Sequence, residues 1–137
     1  MYSYTLPYTN YIVSMRNSIL VVDDDPDILE ALKVMLEDQG YKVETASNGN
    51  ILQFLNATNL PSVIVLDVLL SGMDGRDIAE KLRKQKETKN IPIVMISANP
   101  GAAIDCVKRG ANAFLAKPFD IDDLLSVIHQ YAPTDKE

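Results

Sequence analysis

Five polar residues stand directly after short apolar runs, and their types suit chemistry on phosphorus. They are Asp23, Asp24, Asp67, Ser97 and Lys117. Two unit charges about 4 Å apart repel each other by roughly 1 kcal/mol in water and about 4 kcal/mol at an effective dielectric constant of 20. If the three carboxylates lie together, we expect them to bind a hard divalent cation, most naturally Mg²⁺.

Asp67 is the candidate nucleophile of this set. A carboxylate can attack phosphorus and form an acyl phosphate. The cation and the ammonium group of Lys117 would neutralise charge on the transferring group, and the hydroxyl of Ser97 could donate to a phosphoryl oxygen. Each residue alone would be an ordinary turn former, loop hydroxyl or surface charge. Asp25 fits a helix cap better than a ligand, and Asp74-Gly75 has the chemistry of a turn.

The apolar runs before these residues have the pattern of buried strands. Continuous runs occur at 19–22, 63–66, 91–96 and 113–116, and a weaker alternating stretch occurs at 41–46. Continuous rather than alternating apolar residues indicate a sheet that is buried on both faces, which is typical of parallel strands. Ligands of such sheets bind outside the carboxyl ends of the strands. This rule brings all five polar residues to one edge.

Segments with helical spacing lie between the strands. They cover residues 26–39, 50–57, 75–86, 101–109 and 121–131. Residue types at their ends agree with helices, since Asp25 and Asp120 are good N-caps and Gly40 and Gly110 are good stops. The alternation of strand and helix predicts an α/β domain with helices on both faces of the sheet.

Length and composition exclude several classes of protein. The chain of 137 residues suits one domain, and 47% hydrophobic residues suffice for a core. A net charge of −6 argues against direct nucleic-acid binding, which usually needs a basic patch. One cysteine, Cys106, leaves no intramolecular disulfide, and we expect a reducing, cytoplasmic compartment and a packing role for this residue. No apolar run is long enough to cross a membrane, so we expect no membrane association.

The remaining segments suggest simple roles. We expect residues 1–16, which contain four tyrosines, to be a disordered leader or to precede a start at Met15, with a docking segment as the alternative. Residues 133–137 form a polar tail, and we expect no output domain in this chain. His129 is expected at the surface of the last helix. We expect a solvated helix face for the basic run, which comprises Lys81, Arg83, Lys84, Lys86 and Lys89.

Four motifs in this order resemble the receiver domain of two-component response regulators, in particular the single-domain members like those of chemotaxis. The motifs are Ile19-Leu20-Val21-Val22-Asp23-Asp24-Asp25, Val65-Leu66-Asp67 followed by Gly72-Met73-Asp74-Gly75, Ile96-Ser97-Ala98, and Lys117-Pro118-Phe119. The resemblance covers residues 17–132. It implies a flavodoxin-like, doubly wound sheet of five parallel strands in the order 2-1-3-4-5, with five helices.

The resemblance also implies roles for single residues. Asp67 corresponds to the phosphoacceptor, which takes its phosphoryl group from a phosphohistidine of a sensor histidine kinase or a phosphotransfer protein. Asp24 corresponds to a direct Mg²⁺ ligand, and Asp23 corresponds to an acidic partner that acts largely through water. The backbone carbonyl of Leu69 corresponds to a third protein ligand beside Asp67. Lys117 corresponds to the lysine of the site, and its bond to Pro118 is expected to be cis.

Signalling in the family implies a change of surface. Ser97 would sense the phosphoryl group, and Phe114 would rotate into the space that opens near the fifth strand. A downstream protein, which the sequence does not name, would then read the face formed by the fourth helix, the fifth strand and the fifth helix. The protein is expected to be a monomer or a phosphorylation-dependent dimer.

Three departures from the family pattern carry expectations of their own. Ser71 stands where the family commonly has proline, so the loop after the third strand is expected to be less rigid. Asn99-Pro100-Gly101 replaces a longer loop, and a short fourth helix is expected. Leu69 and Asn99 occupy positions that tune loss of the phosphoryl group. An apolar Leu69 cannot orient an attacking water, so a long-lived phosphoryl group is predicted.

Three other functions fit the sequence less well. A phosphatase or phosphotransferase of this type usually has a second aspartate two residues after its nucleophile, where this chain has Leu69. A phosphorylation-independent interaction module would typically lack one of the acidic residues or the lysine, and here all five positions match. A flavodoxin would have a Ser/Thr/Gly-rich phosphate loop after the first strand. We therefore predict a signalling domain that catalyses only its own phosphorylation and dephosphorylation.

Overall fold

Five parallel strands form the centre of the fold in a computed structural model that describes residues 17–134. The strands in chain order are β1 (Ser18–Val22), β2 (Lys42–Ala46), β3 (Val63–Asp67), β4 (Leu69–Leu70), β5 (Met73–Asp74), β6 (Ile93–Ser97) and β7 (Ala113–Ala116). The central sheet has the order β2-β1-β3-β6-β7, and β4 and β5 form a separate antiparallel pair. The predicted order 2-1-3-4-5 of the five main strands is confirmed.

Four α-helices and two short 3₁₀ helices surround the sheet. The α-helices are α1 (Pro26–Asp38), α2 (Gly75–Lys84), α3 (Ala103–Lys108) and α4 (Ile121–Tyr131), and the 3₁₀ helices are Gly49–Phe54 and Pro100–Ala102. Each face of the sheet has its own core. One core joins the strands to α1 and α4 through residues such as Leu32 and Leu124. The other joins them to α2, α3 and the first 3₁₀ helix. The predicted doubly wound α/β fold is confirmed.

The sheet is buried on both faces, as the continuous apolar runs predict. In β1, Val21 belongs to the core on one face and Val22 to the core on the other, and neither side chain is exposed. Parallel register places the carboxyl ends side by side: Asp67 pairs with Ile96, and Ser97 pairs with Ala116. The polar residues that follow these strands therefore emerge at one edge.

Helix ends follow the sequence signals with one exception. The side chain of Asp25 accepts a hydrogen bond from the backbone N–H of Asp27, and Pro26 opens α1. Gly40 and Gly110 follow α1 and α3 with φ values of 99° and 120°. Asp120 occupies the N-cap position of α4 as predicted, but its side chain makes no capping hydrogen bond. Asp122 and Asp123 supply negative charge to that first turn instead.

The second predicted helix, over 50–57, is present as a 3₁₀ helix, Gly49–Phe54, which ends three residues earlier than predicted. Its first residue, Gly49, packs closely against α2, since a Cβ at this position would come within 2.6 Å of Ile78. Leu52 is buried while Phe54 is exposed. The segment therefore anchors through one side chain and has no continuous apolar stripe to stabilise further helical turns.

The loop after β3 is a small hairpin that the sequence pattern did not reveal. Leu69 pairs with Asp74, and Leu70 pairs with Met73. The connecting residues are Ser71 and Gly72, and Gly72 has a φ of 74°, which glycine adopts without steric cost. The loop therefore has regular pairing although it lacks the family's proline.

The ends of α2 and the length of α3 can be compared with the sequence predictions. Asp74 is not only a turn residue, because its side chain accepts from the Arg76 backbone N–H at 2.8 Å and so caps α2. The helix ends at Lys84 rather than residue 86. The short fourth helix is confirmed, since α3 has 6 residues. Asn99 caps the 3₁₀ turn that precedes α3.

Arg83 does not belong to a solvated basic face as predicted. Its guanidinium donates to the backbone oxygens of Gly110 at 2.9 Å and Ile91 at 2.6 Å, and to the side-chain oxygen of Asn112 at 2.7 Å. The side chain thus joins α2 to the segments that enter β6 and β7. Lys81 and the three other lysines of the run are exposed as expected.

The other minor expectations have mixed outcomes. Cys106 is fully buried, in agreement with a packing role. His129 is half-buried, and its Nδ1 lies 3.5 Å from the hydroxyl of Tyr41. The predicted leader at 1–16 lies outside the described residues, as do residues 135–137 of the predicted tail. Thr134 of that tail is buried. Among the residues described, no helix is long and apolar enough to span a membrane.

Candidate functional site

The residues singled out by type and position lie together at the carboxyl edge of the sheet. Asp23 and Asp24 follow β1, Asp67 ends β3, Ser97 ends β6, and Lys117 follows β7. One carboxylate oxygen from each of the three aspartates lies within 4.8 Å of those of the other two. The parallel register of the sheet produces this convergence, because it aligns the ends of strands that are distant in sequence.

Asp23 is the most deeply buried of the three aspartates, with no exposed surface. Its Oδ2 accepts a hydrogen bond from Lys117 Nζ at 2.9 Å, and its Oδ1 accepts one from the backbone N–H of Asp25 at 2.9 Å. A buried charge without such partners would be very costly. Two donors hold this carboxylate in one orientation, and one of them carries a full positive charge.

Asp67 is 5% exposed and shares the same lysine. Lys117 Nζ lies 3.3 Å from Asp67 Oδ2, and the Leu69 backbone N–H donates to Oδ1 over 3.4 Å. Gly75 permits close packing behind this residue, since a Cβ there would collide with the backbone oxygen of Asp67. The carboxylate is thus buried at its base and held by longer hydrogen bonds than Asp23.

The electrostatics of the two buried carboxylates differ from those of free side chains. Burial raises the pKa of Asp67, and the negative charge of Asp23 raises it further, against the opposing effect of Lys117. Burial by itself would lower the pKa of Lys117, but the hydrogen bond and charge of Asp23, together with Asp67, outweigh it and raise this pKa. One ammonium group therefore serves two carboxylates, and negative charge remains in excess.

Asp24 completes the cluster from its exposed side. Its Oδ2 accepts a hydrogen bond from the Ser71 hydroxyl at 3.0 Å. The three carboxylates lie close to one another, and one ammonium group, that of Lys117, faces them. The site therefore has a net negative charge and offers oxygen ligands. This donor set fits a hard divalent cation such as Mg²⁺, which prefers carboxylate oxygens and keeps several waters. The exposure of Asp24 leaves room for those waters.

Ser97 and Phe114 lie on adjacent strands behind this edge. Ser97 is 2% exposed, and its Oγ accepts a hydrogen bond from the backbone N–H of Asn99 at 3.0 Å. The Lys117 backbone N–H donates to the Ser97 carbonyl at 2.8 Å, so Ser97 and Lys117 are coupled through the backbone. Phe114 is half-buried and packs against the core that α2 and α3 cover.

Leu69 and Pro118 border the site. Leu69 opens the hairpin, and its side chain is 66% exposed. The Lys117–Pro118 bond is cis, as expected. The sequence reasoning missed two contributors. The first is Ser71, which was noted only as a departure from proline. The second is Gly75, which was noted only as part of a turn and of a family motif.

Comparison with known proteins identifies the domain. Residues 19–129 match the family model of the response regulator receiver domain. The chain belongs to this family. The receiver domain is 33% identical over 114 residues to response regulator Rre1 of Synechocystis sp. (strain ATCC 27184 / PCC 6803 / Kazusa), an alignment that covers 81% of this chain and 49% of Rre1.

Solved structures of receiver proteins resemble this receiver domain closely. A putative response regulator from Chloroflexus aurantiacus J-10-fl is 35% identical with a TM-score of 0.78, covering 85% of this chain and 97% of that one. Response regulator protein TrrA from Thermotoga maritima, solved in complex with Mg(2+)-BeF, is 30% identical with a TM-score of 0.75, covering 84% and 98%. By contrast, this chain spans between about a quarter and a half of the length of the curated relatives.

Proposed function

We propose that this receiver domain is a phosphorylation switch in which Asp67 accepts a phosphoryl group from a phosphohistidine. An Asp67 oxygen forms the new O–P bond as the N–P bond of the donor breaks. The imidazole of the donor leaves with that electron pair and takes up a proton. The observation that carries the proposal is the convergence of Asp67 with Asp23, Asp24 and Lys117 at one edge of the sheet.

A divalent cation fits the proposal, with Mg²⁺ as the natural choice. The carboxylates of Asp23, Asp24 and Asp67 would hold it, together with the backbone carbonyl of Leu69. When bound, the cation supplies positive charge that stabilises the transferring phosphoryl group. The Mg²⁺ in the complex of TrrA from Thermotoga maritima supports this choice. Asp24 would approach the cation from the solvent-exposed side of the site, and Asp23 would approach it from the buried side.

Lys117 and Ser97 have separate roles in the proposal. Lys117 already contacts Asp67 Oδ2 at 3.3 Å, so its ammonium can pair with a phosphoryl oxygen on that carboxylate. Ser97 would turn its hydroxyl from the Asn99 N–H toward the phosphoryl group. Phe114 on the adjacent strand would follow into the space left behind, and the surface of α3, β7 and α4 would change.

In this proposal both the phosphodonor and the downstream partner that binds the phosphorylated domain are proteins. A sensor histidine kinase or a histidine phosphotransfer protein supplies the phosphoryl group. The surface of α3, β7 and α4, which contains the fourth helix, fifth main strand and fifth helix of the sequence prediction, binds the downstream protein or a second copy of the chain. Ile104 and Val107 are exposed apolar residues on α3, and they suit such a contact.

Leu69, at the border of the site, is expected to affect how long the phosphoryl group stays on Asp67. Leu69 projects an exposed apolar side chain beside Asp67. It offers no hydrogen bond to orient an attacking water, so hydrolysis of the acyl phosphate is expected to be slow. A polar substitution, Leu69→Asn, is expected to speed the loss of the phosphoryl group in the same assay that detects it.

Intact-mass measurement tests the proposal. The protein is incubated with Mg²⁺ and acetyl phosphate, and one phosphoryl group is expected to add to the wild type and none to Asp67→Asn. Asp122→Asn is a matched control, because it removes an exposed carboxylate far along the chain, in the first turn of α4. An unmodified wild type, or a fully modified Asp67→Asn, would refute the assignment. Continuous release of phosphate at many turnovers would instead favour a phosphatase.

A further inference from the structure

The three carboxylates of the site are held in different ways. Asp23 and Asp67 are buried and contact Lys117. Asp24 is exposed, and within residues 17–134 the hydrogen bond found at its carboxylate comes from Ser71. This bond joins residues 47 positions apart, from Ser71 Oγ to Asp24 Oδ2 at 3.0 Å. The orientation of the exposed carboxylate thus depends on a neutral hydroxyl.

The backbone places Ser71 at this position. Ser71 and Gly72 form the turn of the β4–β5 hairpin, and pairing of Leu70 with Met73 closes that turn. The positive φ of Gly72 lets the chain reverse within two residues. The hairpin starts two residues after Asp67 and ends at the cap of α2, so both of its ends are fixed. The hairpin therefore fixes the position of Ser71, whose hydroxyl donates to Asp24.

We propose that Ser71 is a positioning residue that orients the Asp24 carboxylate for the divalent cation. The inference rests on the proposed function, because it takes a cation at the aspartate cluster as given. Ser71 binds Oδ2 of Asp24, and in the proposed role the other oxygen, Oδ1, binds the cation. The hydroxyl stands at a position where the family commonly has proline, which has no side-chain donor.

The physical reason is the cost of ordering an exposed side chain. A free carboxylate samples several rotamers, and a cation must select one of them. A hydrogen bond to the oxygen that does not bind the metal fixes the side chain beforehand and spreads its charge. Partners of this kind around metal ligands typically contribute about 10- to 100-fold in metal affinity. Since Ser71 is itself exposed, we expect the lower end of that range.

Two substitutions at position 71 test the role of the hydroxyl. Ser71→Ala removes the donor, and Ser71→Thr keeps it. Titration of Mg²⁺ by calorimetry is expected to give about tenfold weaker binding for Ser71→Ala and binding within about twofold of the wild type for Ser71→Thr. Thr58→Ala is the control, because it removes another exposed hydroxyl that bonds a side-chain oxygen, that of Asn56, away from the site.

The dependence of phosphorylation on Mg²⁺ separates positioning from a general structural effect. With acetyl phosphate as donor, Ser71→Ala is expected to need about tenfold more Mg²⁺ for half-maximal rate and to reach the wild-type rate at saturation. Thermal melting without Mg²⁺ should be close to that of the wild type, since Ser71 is exposed. A reduced rate at saturating Mg²⁺ would overturn the positioning role.

Other outcomes also decide the question. Mg²⁺ affinity of Ser71→Ala within twofold of the wild type would overturn the inference, as would an equal loss in Ser71→Thr. Neither result would affect the phosphorylation of Asp67, which the mass measurement reports independently. A wild type that binds no Mg²⁺ would overturn both the metal site of the proposed function and the role of Ser71. Normal Mg²⁺ binding without modification of Asp67 would overturn only the proposed function.

Discussion

At the scale of single residues, the sharing of Lys117 sets the character of the site. Its ammonium lies 2.9 Å from an Asp23 oxygen and 3.3 Å from an Asp67 oxygen. The shorter contact is made with the carboxylate that has no exposed surface, where an unpaired charge would cost most. The contact of Lys117 with Asp67 is therefore the weaker of the two. Such a carboxylate is the one that a phosphoryl group or a cation can engage with the smallest loss of existing contacts.

Asp74 shows how a residue outside the cluster supports it. It caps α2, the helix that starts at Gly75 behind Asp67, and its Oδ2 forms a 2.8 Å ion pair with Arg76. The hydrogen bond from the Arg76 side chain is the main cause that lowers the pKa of Asp74, against the opposing effect of burial. The start of α2 thus depends on the charged form of one carboxyl group.

We predict a pH-dependent loss of stability in Asp74→Asn. Asparagine still caps the helix, so the change removes mainly the charge. Because the folded-state pKa lies below the unfolded value of about 3.9, the ionised group stabilises the fold above that pH. This contribution is lost as the pH falls through the lower, folded-state pKa. The wild type should exceed Asp74→Asn by about 1 kcal/mol at pH 7, and the difference should shrink below about pH 4.

Urea unfolding at a series of pH values measures this difference. Glu87→Gln is the control, because it removes an exposed carboxylate from the segment after α2. A difference between the wild type and Asp74→Asn that stays constant from neutral to acidic pH would contradict the linkage to the Asp74 charge.

At the scale of elements, arginines join α2 to its neighbours. Arg76 and Arg109 both reach Asp105 of α3, at 3.3 Å and 3.9 Å. Arg109 also contacts Asp77 and Glu80 of α2. These ion pairs are partly exposed, and pairs of that kind usually contribute no more than about 1 kcal/mol each. Pairs this weak would permit the movement of α3 that the proposed function involves.

Arg83 makes a firmer connection. It donates to backbone oxygens in the segments before β6 and β7, and Gly110 gives it passage, since a Cβ there would come within 2.7 Å of the Arg83 side chain. A lysine has one terminal nitrogen and cannot reproduce the planar fork of donors. The partly buried carbonyl groups of Gly110 and Ile91 would then lose hydrogen-bond donors.

We predict that Arg83→Lys lowers the free energy of unfolding by about 2 kcal/mol. Lys84→Arg is a matched control, because it makes the reverse exchange at the next, exposed position of the same helix, and it should change stability by less than about 0.5 kcal/mol. Urea unfolding compares the three proteins. Equal stability of Arg83→Lys and the wild type would show that the arginine hydrogen bonds are dispensable.

At the scale of the whole molecule, the site and the proposed signalling surface are joined by the sheet. Ser97 pairs with Ala116, and Met95 pairs with Phe114, so β6 and β7 lie side by side and both end at the site. The chain continues from β6 toward α3 and from β7 toward α4. α3 is a single short helix that follows a 3₁₀ turn. A helix this short has few internal hydrogen bonds, which would ease a local rearrangement in the proposed switch.

Hydrogen–deuterium exchange tests this connection. On phosphorylation with acetyl phosphate and Mg²⁺, we expect changed exchange in α3 and β7 and none in β2, which lies at the opposite edge of the sheet. The Asp67→Asn protein treated in the same way is the control. Changes confined to the hairpin and the residues next to Asp67 would contradict transmission to the α3–β7–α4 surface.

The sequence alone predicted five candidate residues of the site and the alternation of strands and helices, whereas the strand order came from the family resemblance. Continuous apolar runs reported the buried parallel strands because burial on both faces acts on every residue of a strand. The polar residues after those runs then had to share an edge. Local signals such as Asp25, Pro26 and Gly40 placed α1 to within one residue of its observed end. These features depend on residues that are near one another in the chain.

Only the tertiary structure decided how distant side chains are paired. Lys117 and Asp23 are 94 positions apart, and Ser71 and Asp24 are 47 apart, so no local pattern reports their contacts. The β4–β5 hairpin was missed because two-residue strands are too short to show a period. Arg83 looked like part of a solvated run because its partners are mostly backbone oxygens from other segments, whose positions depend on packing.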